Sequence, residues 1–185
     1  MIKPTRGYLL RETFLAKKRA AMADELIGND LRTGRILDIG CGSVPLFLLS
    51  TQFAEKHGID QVTQTQDIPG IKYQIMNASQ KARLPYADGH FSVVTMLAVL
   101  EHLDPDDISK ILKDINRLLK PGGQIVLTTP AAWSDKLLRL MAKVSLISSE
   151  EIDEHKDTYS RGKVRILLKT AGFSHVKTGY FELCL

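Results

Sequence analysis

Cysteine is nearly absent from the chain, which has 185 residues and only Cys41 and Cys184. Two cysteines so far apart form neither a disulfide framework nor the paired spacing of a zinc site, so we expect no metal and a reducing, cytoplasmic compartment. Long apolar stretches are also lacking: residues 91–100 form the longest one, about half of the roughly 20 residues that span a bilayer. The sequence therefore predicts no membrane insertion, and it leaves the oligomeric state open.

Strong charge of either sign is missing as well, since the formal net charge is +4. With 44% hydrophobic and 25% charged residues, the composition is typical of one globular domain. The excess positive charge lies in residues 1–35, which hold eight Lys and Arg against four acids. Such a cluster can attract nucleic acid, but short charge clusters usually form the solvated face of a helix.

Short apolar segments alternate with amphipathic ones, which predicts an open α/β sheet, doubly wound with helices on both faces. We expect six or seven strands, most of them parallel, with the most apolar strand at 91–97 in the middle. The predicted strands are 35–39, 62–66, 71–75, 91–97 and 124–129, with one or two closing strands in 175–185. The predicted helices are 8–27, one from Pro45 to just before Gly58, one after Asp104 with apolar residues from Ile108 to Leu119, and 161–171.

A glycine turn follows the first predicted strand, in the segment Asp38-Ile39-Gly40-Cys41-Gly42. Ligands of open parallel sheets bind at the carboxyl ends of the strands, and glycines let the backbone approach a ligand closely. A dinucleotide fingerprint would need glycine where Pro45 stands, and a P-loop would need Gly-Lys-Ser/Thr, which is absent. The turn therefore predicts a nucleotide-type site of another kind.

Five sequence blocks indicate which kind of nucleotide-type site this is. They are 36–42, 77–78, 84–91, 100–103 and 118–123. With these blocks, residues 35–130 resemble the class I S-adenosylmethionine-dependent methyltransferases, in particular the type 11 methyltransferase domain. The resemblance implies a Rossmann-like sheet in a single domain with a cofactor-binding core at 31–130. The least patterned parts are expected to select the substrate, as an N-terminal helical lid at 1–30 and a substrate-side insertion at 131–160. Trp133 is expected either in that insertion or in the core, and a closing helix and strand follow at 161–185.

The resemblance further implies a site for S-adenosylmethionine, with S-adenosylhomocysteine as product. An acid that ends the second strand would bind the ribose hydroxyls; Asp67 is the candidate and Asp60 the alternative. The other implied positions are Asp38, Gly40, Cys41 and Gly42 at the methionine end, Asn77 and Ala78 at the adenine, and Met96 and Leu97 at the sulfonium.

Some positions depart from the family pattern. Val44 replaces a common third glycine, and Asn77 and Ser92 stand where aspartates are usual. The connection between the second and third predicted strands is also too short for a helix. These departures keep open an alternative, a catalytically silent regulatory protein that binds S-adenosylmethionine.

Catalysis needs no dedicated residue, since positioning and exclusion of water can supply much of the rate of methyl transfer. Where a general base assists, His102 and His155 are the candidates. The Asn/Asp-Pro-Pro-aromatic block of related amine-modifying nucleic-acid methyltransferases is absent. We therefore expect a small-molecule acceptor, methylated at oxygen, with a nucleic-acid acceptor as a further alternative.

Overall fold

Five strands and four α-helices form the described part of the computed structural model, which comprises residues 10–64, 67–78, 83–129 and 159–180. In chain order they are α1 (Leu10–Glu25), β1 (Arg35–Ile39), α2 (Leu46–Ser50), β2 (Glu55–Asp60), β3 (Ile71–Ile75), β4 (Phe91–Leu97), α3 (Pro105–Leu118), β5 (Leu119–Thr128) and α4 (Arg161–Thr170). Two 3-10 turns cover Asn29–Thr33 and Leu100–His102. None of the helices in these ranges is long and apolar enough to cross a membrane.

The strands form one sheet in the order β3-β2-β1-β4-β5, and all neighbours run parallel. The chain builds outwards from β1 to β3 and then returns to place β4 on the other side of β1. This reversal creates a switch point between the carboxyl ends of β1 and β4, where open α/β sheets bind ligands. The predicted doubly wound α/β fold is confirmed.

The two faces of the sheet bury different helices. On one face α1 and α2 pack against Ile36, Val93 and Val126. On the other face α3 and α4 pack against Leu37 and Val94. Because both faces are covered, the central strands are apolar on successive residues and not only on alternate ones. The predicted apolar stripe of α3 is confirmed, since its buried residues are Ile108, Ile111, Leu112, Ile115 and Leu118.

The predicted position of the second strand is wrong. The pattern favoured 62–66, but β2 is Glu55–Asp60, and the described residues 61–64 contain no strand. The first half of β2 is polar because Glu55 pairs in register with Arg35 of β1, where the two side chains form an ion pair with Nε and Oε2 2.7 Å apart. Cross-strand charge pairs of this kind replace apolar burial at a strand end.

The predicted helix from Pro45 to Gly58 is also wrong in length, since α2 ends at Ser50. Gly58 lies inside β2 instead of ending a helix. A Cβ atom on Gly58 would lie 2.8 Å from Cys41 Sγ, so glycine leaves room for the buried thiol. The glycine that suggested a helix end is therefore a packing requirement of the sheet.

Two further differences concern strand ends. The segment Lys120–Gly123, expected only to stop a helix, belongs to β5, with a register shift opposite Phe91 and Val93. Residues 175–180 contain no strand, so the described sheet has five strands, not the six or seven that we expected. The predictions for Trp133 and His155, and for a strand in 181–185, lie outside the described residues.

Candidate active site

Two glycines shape the turn after β1, and they do so for different reasons. Both have positive φ, 74° at Gly40 and 75° at Gly42, a conformation that favours glycine. A Cβ atom on Gly40 would lie only 2.4 Å from Val99 Cγ2, so the loop after β4 packs directly against this turn. A Cβ atom on Gly42 would meet nothing nearer than 3.8 Å. Gly40 thus joins two loops, whereas a Cβ atom on Gly42 would meet only the Val44 backbone, at ordinary contact distance, so no side chain crowds the backbone there.

Asp60 is the acid that ends the second strand. Its Oδ2 accepts a hydrogen bond from the Gly42 N–H at 2.7 Å, and its Oδ1 accepts one from the Val62 N–H at 3.1 Å. Asp67, the first candidate for this place, is an exposed loop residue seven positions further on. The expectation that Asp67 ends the second strand is wrong, because it depended on the misplaced strand; the alternative, Asp60, occupies that position.

Tyr73 of β3 forms hydrogen bonds to the same two loops. Its hydroxyl donates to the Val62 carbonyl oxygen at 2.7 Å and lies 3.3 Å from the Gly42 carbonyl oxygen. No sequence pattern singles out this tyrosine, because its role appears only once the register places it opposite Gly58. Asp60 and Tyr73 therefore each form hydrogen bonds to both the turn after β1, at Gly42, and the loop after β2, at Val62.

A buried carboxyl group lies beneath the turn. Asp38 is 3% exposed and accepts a hydrogen bond from Thr95 Oγ1 of β4 at 2.6 Å. Burial raises its pKa to about 7, against the opposing effect of the Thr95 bond. Thr95 is one of two hydroxyl residues in β4, with Ser92, and the sequence does not show which of them faces Asp38. A carboxyl that titrates near neutral pH at the switch point is typical of a functional site.

The loop after β4 has an unusual backbone. Ala98 has a φ of 58°, which is rare for a residue other than glycine. Its N–H donates to the Thr128 carbonyl oxygen at 3.0 Å and to Thr128 Oγ1 at 3.1 Å, which ties the end of β4 to the end of β5. Strained residues of this kind concentrate at ligand and active sites.

Glu101 and His102 follow in the 3-10 turn. Glu101 is 2% exposed, and burial is the largest influence on its pKa, which is raised. His102 is partly buried. Both residues therefore lie at the carboxyl edge of the sheet, after its central strand, as expected for groups near an acceptor.

The remaining predicted cofactor residues also follow or end strands at the carboxyl edge. Some of their side chains, however, pack into the core of the protein. Asn77 follows β3, and its Nδ2 donates to Gln61 Oε1 at 3.2 Å, which places it beside the loop after β2. Ala78 is partly buried against the core, Leu97 ends β4, and the Met96 side chain is fully buried in the core. Burial also raises the pKa of the Cys41 thiol, which packs under the turn as a neutral group.

Comparison with known proteins agrees with this arrangement. A family model described as a methyltransferase domain matches residues 9–178, which is most of the chain. The chain therefore belongs to the methyltransferase-domain family, and the predicted class, the class I S-adenosylmethionine-dependent methyltransferases, is confirmed.

Relatives and solved structures show how far the likeness extends. The chain is 35% identical over 122 residues to the ubiquinone biosynthesis O-methyltransferase of Pseudomonas aeruginosa (strain PAO1), an alignment that covers 60% of this chain and 50% of that protein. The chain thus spans about half the length of the curated relatives that it matches.

Two solved structures share the fold at lower identity. A SAM-dependent methyltransferase from Archaeoglobus fulgidus has a TM-score of 0.68 at 22% identity, and the match covers 95% of this chain and 74% of that one. A Haemonchus contortus phosphoethanolamine N-methyltransferase, solved with phosphoethanolamine and S-adenosylhomocysteine, has a TM-score of 0.56 at 19% identity over 66% of this chain and 27% of that one.

Proposed function

We propose that this chain binds S-adenosylmethionine at the carboxyl ends of β1, β2 and β4 and transfers its methyl group to a hydroxyl of a small molecule. One observation carries the proposal. No side chain crowds the Gly42 backbone, and beside it lies the Asp60 carboxylate, which is fixed by two backbone N–H groups, one of them that of Gly42 itself. A glycine cradle beside an oriented carboxylate suits a ligand with an adenosine part.

Asp60 fits the ribose better than Asp67 does. A carboxylate has about four lone-pair positions, and the two described bonds to Asp60 use one on each oxygen. Each oxygen can therefore still accept a bond from a ribose hydroxyl. Asn77 follows β3, beside the loop after β2, where its amide can form a hydrogen bond with the edge of the adenine ring.

Asp38 and the backbone of the turn suit the methionine end. The cofactor carries an α-ammonium group there, and a nearby carboxylate stabilises a cation in a buried site. Asp38 has a pKa of about 7 in the ligand-free chain. A bound ammonium group favours its ionised form, so cofactor binding and loss of the Asp38 proton support each other.

The reaction asks little covalent chemistry of the protein. S-adenosylmethionine supplies an activated methyl group, and the chain's own residues hold the acceptor in line with it and exclude water. We propose His102, and His155 in the segment before α4, as the bases that take the acceptor proton. The support for His102 is its place in the 3-10 turn after β4, three residues after Val99, which packs against Gly40.

The oxygen acceptor rests on several curated relatives that are named as O-methyltransferases, at 29–35% identity; a shorter match of 65 residues is to a protein named as a C-methyltransferase. Likeness to the N-methyltransferase structure concerns the fold and does not favour nitrogen. A phenolic hydroxyl is the acceptor class that we propose, and catechol is a simple probe for it.

The N-terminal segment is proposed as a lid. Its second half packs on the sheet through the buried Ala20 and Ala23.

Calorimetry with S-adenosylmethionine and S-adenosylhomocysteine, followed by transfer of labelled methyl to catechol or to total RNA, tests the proposal. We expect micromolar binding of both compounds and label in catechol. Binding without transfer to either acceptor would favour the silent regulatory protein. Label in RNA alone would favour a nucleic-acid acceptor, and a folded chain that binds neither compound would contradict the proposal.

A further inference from the structure

Tyr73 reaches the glycine turn from a strand that is not a neighbour of β1. It belongs to β3, and β2 lies between β3 and β1, so the two strands are separated by two spacings of about 4.8 Å each. The register places Tyr73 opposite Gly58 of β2, and a Cβ atom on Gly58 would lie 3.5 Å from Tyr73 Cδ2. The tyrosine ring therefore lies beside the bare backbone of Gly58, and its hydroxyl reaches the loops at the carboxyl edge.

The Tyr73 hydroxyl and the Asp60 carboxylate contact the same two residues. Asp60 accepts hydrogen bonds from the N–H groups of Gly42 and Val62, at 2.7 Å and 3.1 Å. The Tyr73 hydroxyl contacts the carbonyl oxygens of these two residues, at 3.3 Å and 2.7 Å. The direction in which the carboxylate points therefore depends on the relative position of Gly42 and Val62, which the tyrosine fixes.

The backbone around Asp60 is held in place as well. The Asp60 carbonyl oxygen accepts a hydrogen bond from the Met76 N–H at 2.6 Å, and Gln61 Oε1 accepts one from Asn77 Nδ2 at 3.2 Å. The loop after β2 is thus bonded at successive residues to the residues that follow β3. A binding group that is fixed before its ligand arrives loses less conformational freedom on binding, which raises the affinity.

The hydroxyl of Tyr73 has a role that its ring does not explain. Phenylalanine has the same ring and would pack beside Gly58 equally well. Burial, together with the nearby Cys41 and Asp60, raises the pKa of Tyr73. The hydroxyl therefore keeps its proton at neutral pH and remains a donor to the two carbonyl oxygens.

We infer that Tyr73 is a positioning residue for the methyl donor, because it holds Gly42 and Val62 so that the Asp60 carboxylate meets the ribose hydroxyls. The inference rests on the proposed function and adds to it a residue that acts on the ligand through Asp60.

The test compares Tyr73→Phe with Tyr180→Phe, a matched control at a position that is 54% exposed. Asp60→Ala and the double variant, Tyr73→Phe with Asp60→Ala, complete a double-mutant cycle. For each protein, calorimetry gives the Kd of S-adenosylhomocysteine and of its 2′-deoxy analogue at equal fractions of folded protein. Thermal unfolding gives the Tm.

We expect Tyr73→Phe to weaken the binding of S-adenosylhomocysteine about fivefold, the effect of one hydrogen bond, and Tyr180→Phe to leave it unchanged. The preference for S-adenosylhomocysteine over the 2′-deoxy analogue should fall in Tyr73→Phe, because a displaced carboxylate gains less from the hydroxyl. In the Asp60→Ala background, Tyr73→Phe should change the Kd by less than about twofold.

Other results would overturn the inference. A lowered Tm with an unchanged Kd would show that the hydroxyl stabilises only the fold. An equal loss of affinity with and without the Asp60 carboxylate would mean that Tyr73 does not act through it, and an unchanged preference between the two ligands would exclude an effect on the ribose. An unchanged, folded protein that binds neither ligand would instead contradict the proposed function itself.

Discussion

Acidic residues at the two edges of the sheet have pKa values that are shifted in opposite directions. At the amino edge, Glu55 contacts Arg35, Lys72 and His57, and these hydrogen bonds lower its pKa to about 2. At the carboxyl edge, burial raises the pKa values of Asp38 and Glu101. Thr95 donates to Asp38, and Arg19 and His102 lie near enough to Glu101 to favour its charged form, but burial outweighs these contacts at both acids.

The difference separates residues that stabilise the fold from residues kept for a ligand. An acid with three cationic or donor partners contributes to stability in its charged form. A buried acid whose pKa is raised is costly in its charged form, and it persists where function compensates for the cost. On this comparison the amino edge is structural and the carboxyl edge is the active site.

The pH dependence of stability should show the largest effect, through Asp38. Its proton is held more tightly in the folded chain, with a pKa of about 7, than in the unfolded chain at the ordinary 3.8. The stability from this proton is therefore complete below about pH 4 and lost as the pH rises to about 7. Between pH 5 and pH 8 we expect the free energy of unfolding to fall by about 3 kcal/mol more in the unchanged protein than in Asp38→Asn.

Urea unfolding of the two proteins across this range, without cofactor, measures the difference. Using the difference cancels the opposite slope from His57 and His90, whose pKa values are lowered by burial. Parallel pH profiles for the two proteins would show that Asp38 titrates normally and would remove the contrast between the edges.

The next largest effect should be on cofactor affinity, when the proposed ribose-binding acid is removed. Asp60→Ala removes a carboxylate that is hydrogen-bonded to the Gly42 N–H, and Asp67→Ala removes an exposed one. We expect the first change to weaken S-adenosylhomocysteine binding about 100-fold, since it loses charge-assisted hydrogen bonds, and the second to leave it unchanged. Calorimetry on both variants checks this; the reverse result would restore Asp67 as the ribose acid.

Glu55 should show the smallest effect and no functional one. Its contribution is present above about pH 4.5 and lost as the pH falls towards 2, because its folded pKa is lowered from 4.5 to about 2. Glu55→Gln should cost about 1 kcal/mol or less at pH 7, since the group is partly exposed. The Kd of S-adenosylhomocysteine should not change. A clear loss of affinity in this variant would mean that the amino edge also serves the ligand.

The sequence was most informative where burial is complete. β1, β4 and α3 were predicted within one or two residues, because strands covered on both faces and helices with one buried face leave regular apolar patterns. β2 was misplaced because its first half is stabilised by partners from other strands, such as Arg35 and Lys72. No local pattern records those partners.

The same limit applies to the candidate site. Asp38, Gly40 and Gly42 could be singled out because a glycine turn after a strand is visible in a single segment. The choice of Asp60 over Asp67 needed the true end of β2, and the role of Tyr73 needed the register of β3.

One pair of glycine substitutions tests the central claim, that the space before Gly42 receives S-adenosylmethionine. Gly42 and Gly70 have positive φ values of 75° and 82°, and neither would bring a Cβ atom within 3.5 Å of another part of the chain. Alanine at either site should therefore cost the same backbone strain, about 1–2 kcal/mol. The measurement is the Kd of S-adenosylhomocysteine by calorimetry on both variants at equal fractions of folded protein. We expect Gly42→Ala to weaken binding severely and Gly70→Ala to leave it unchanged; equal affinities in the two variants would contradict the account.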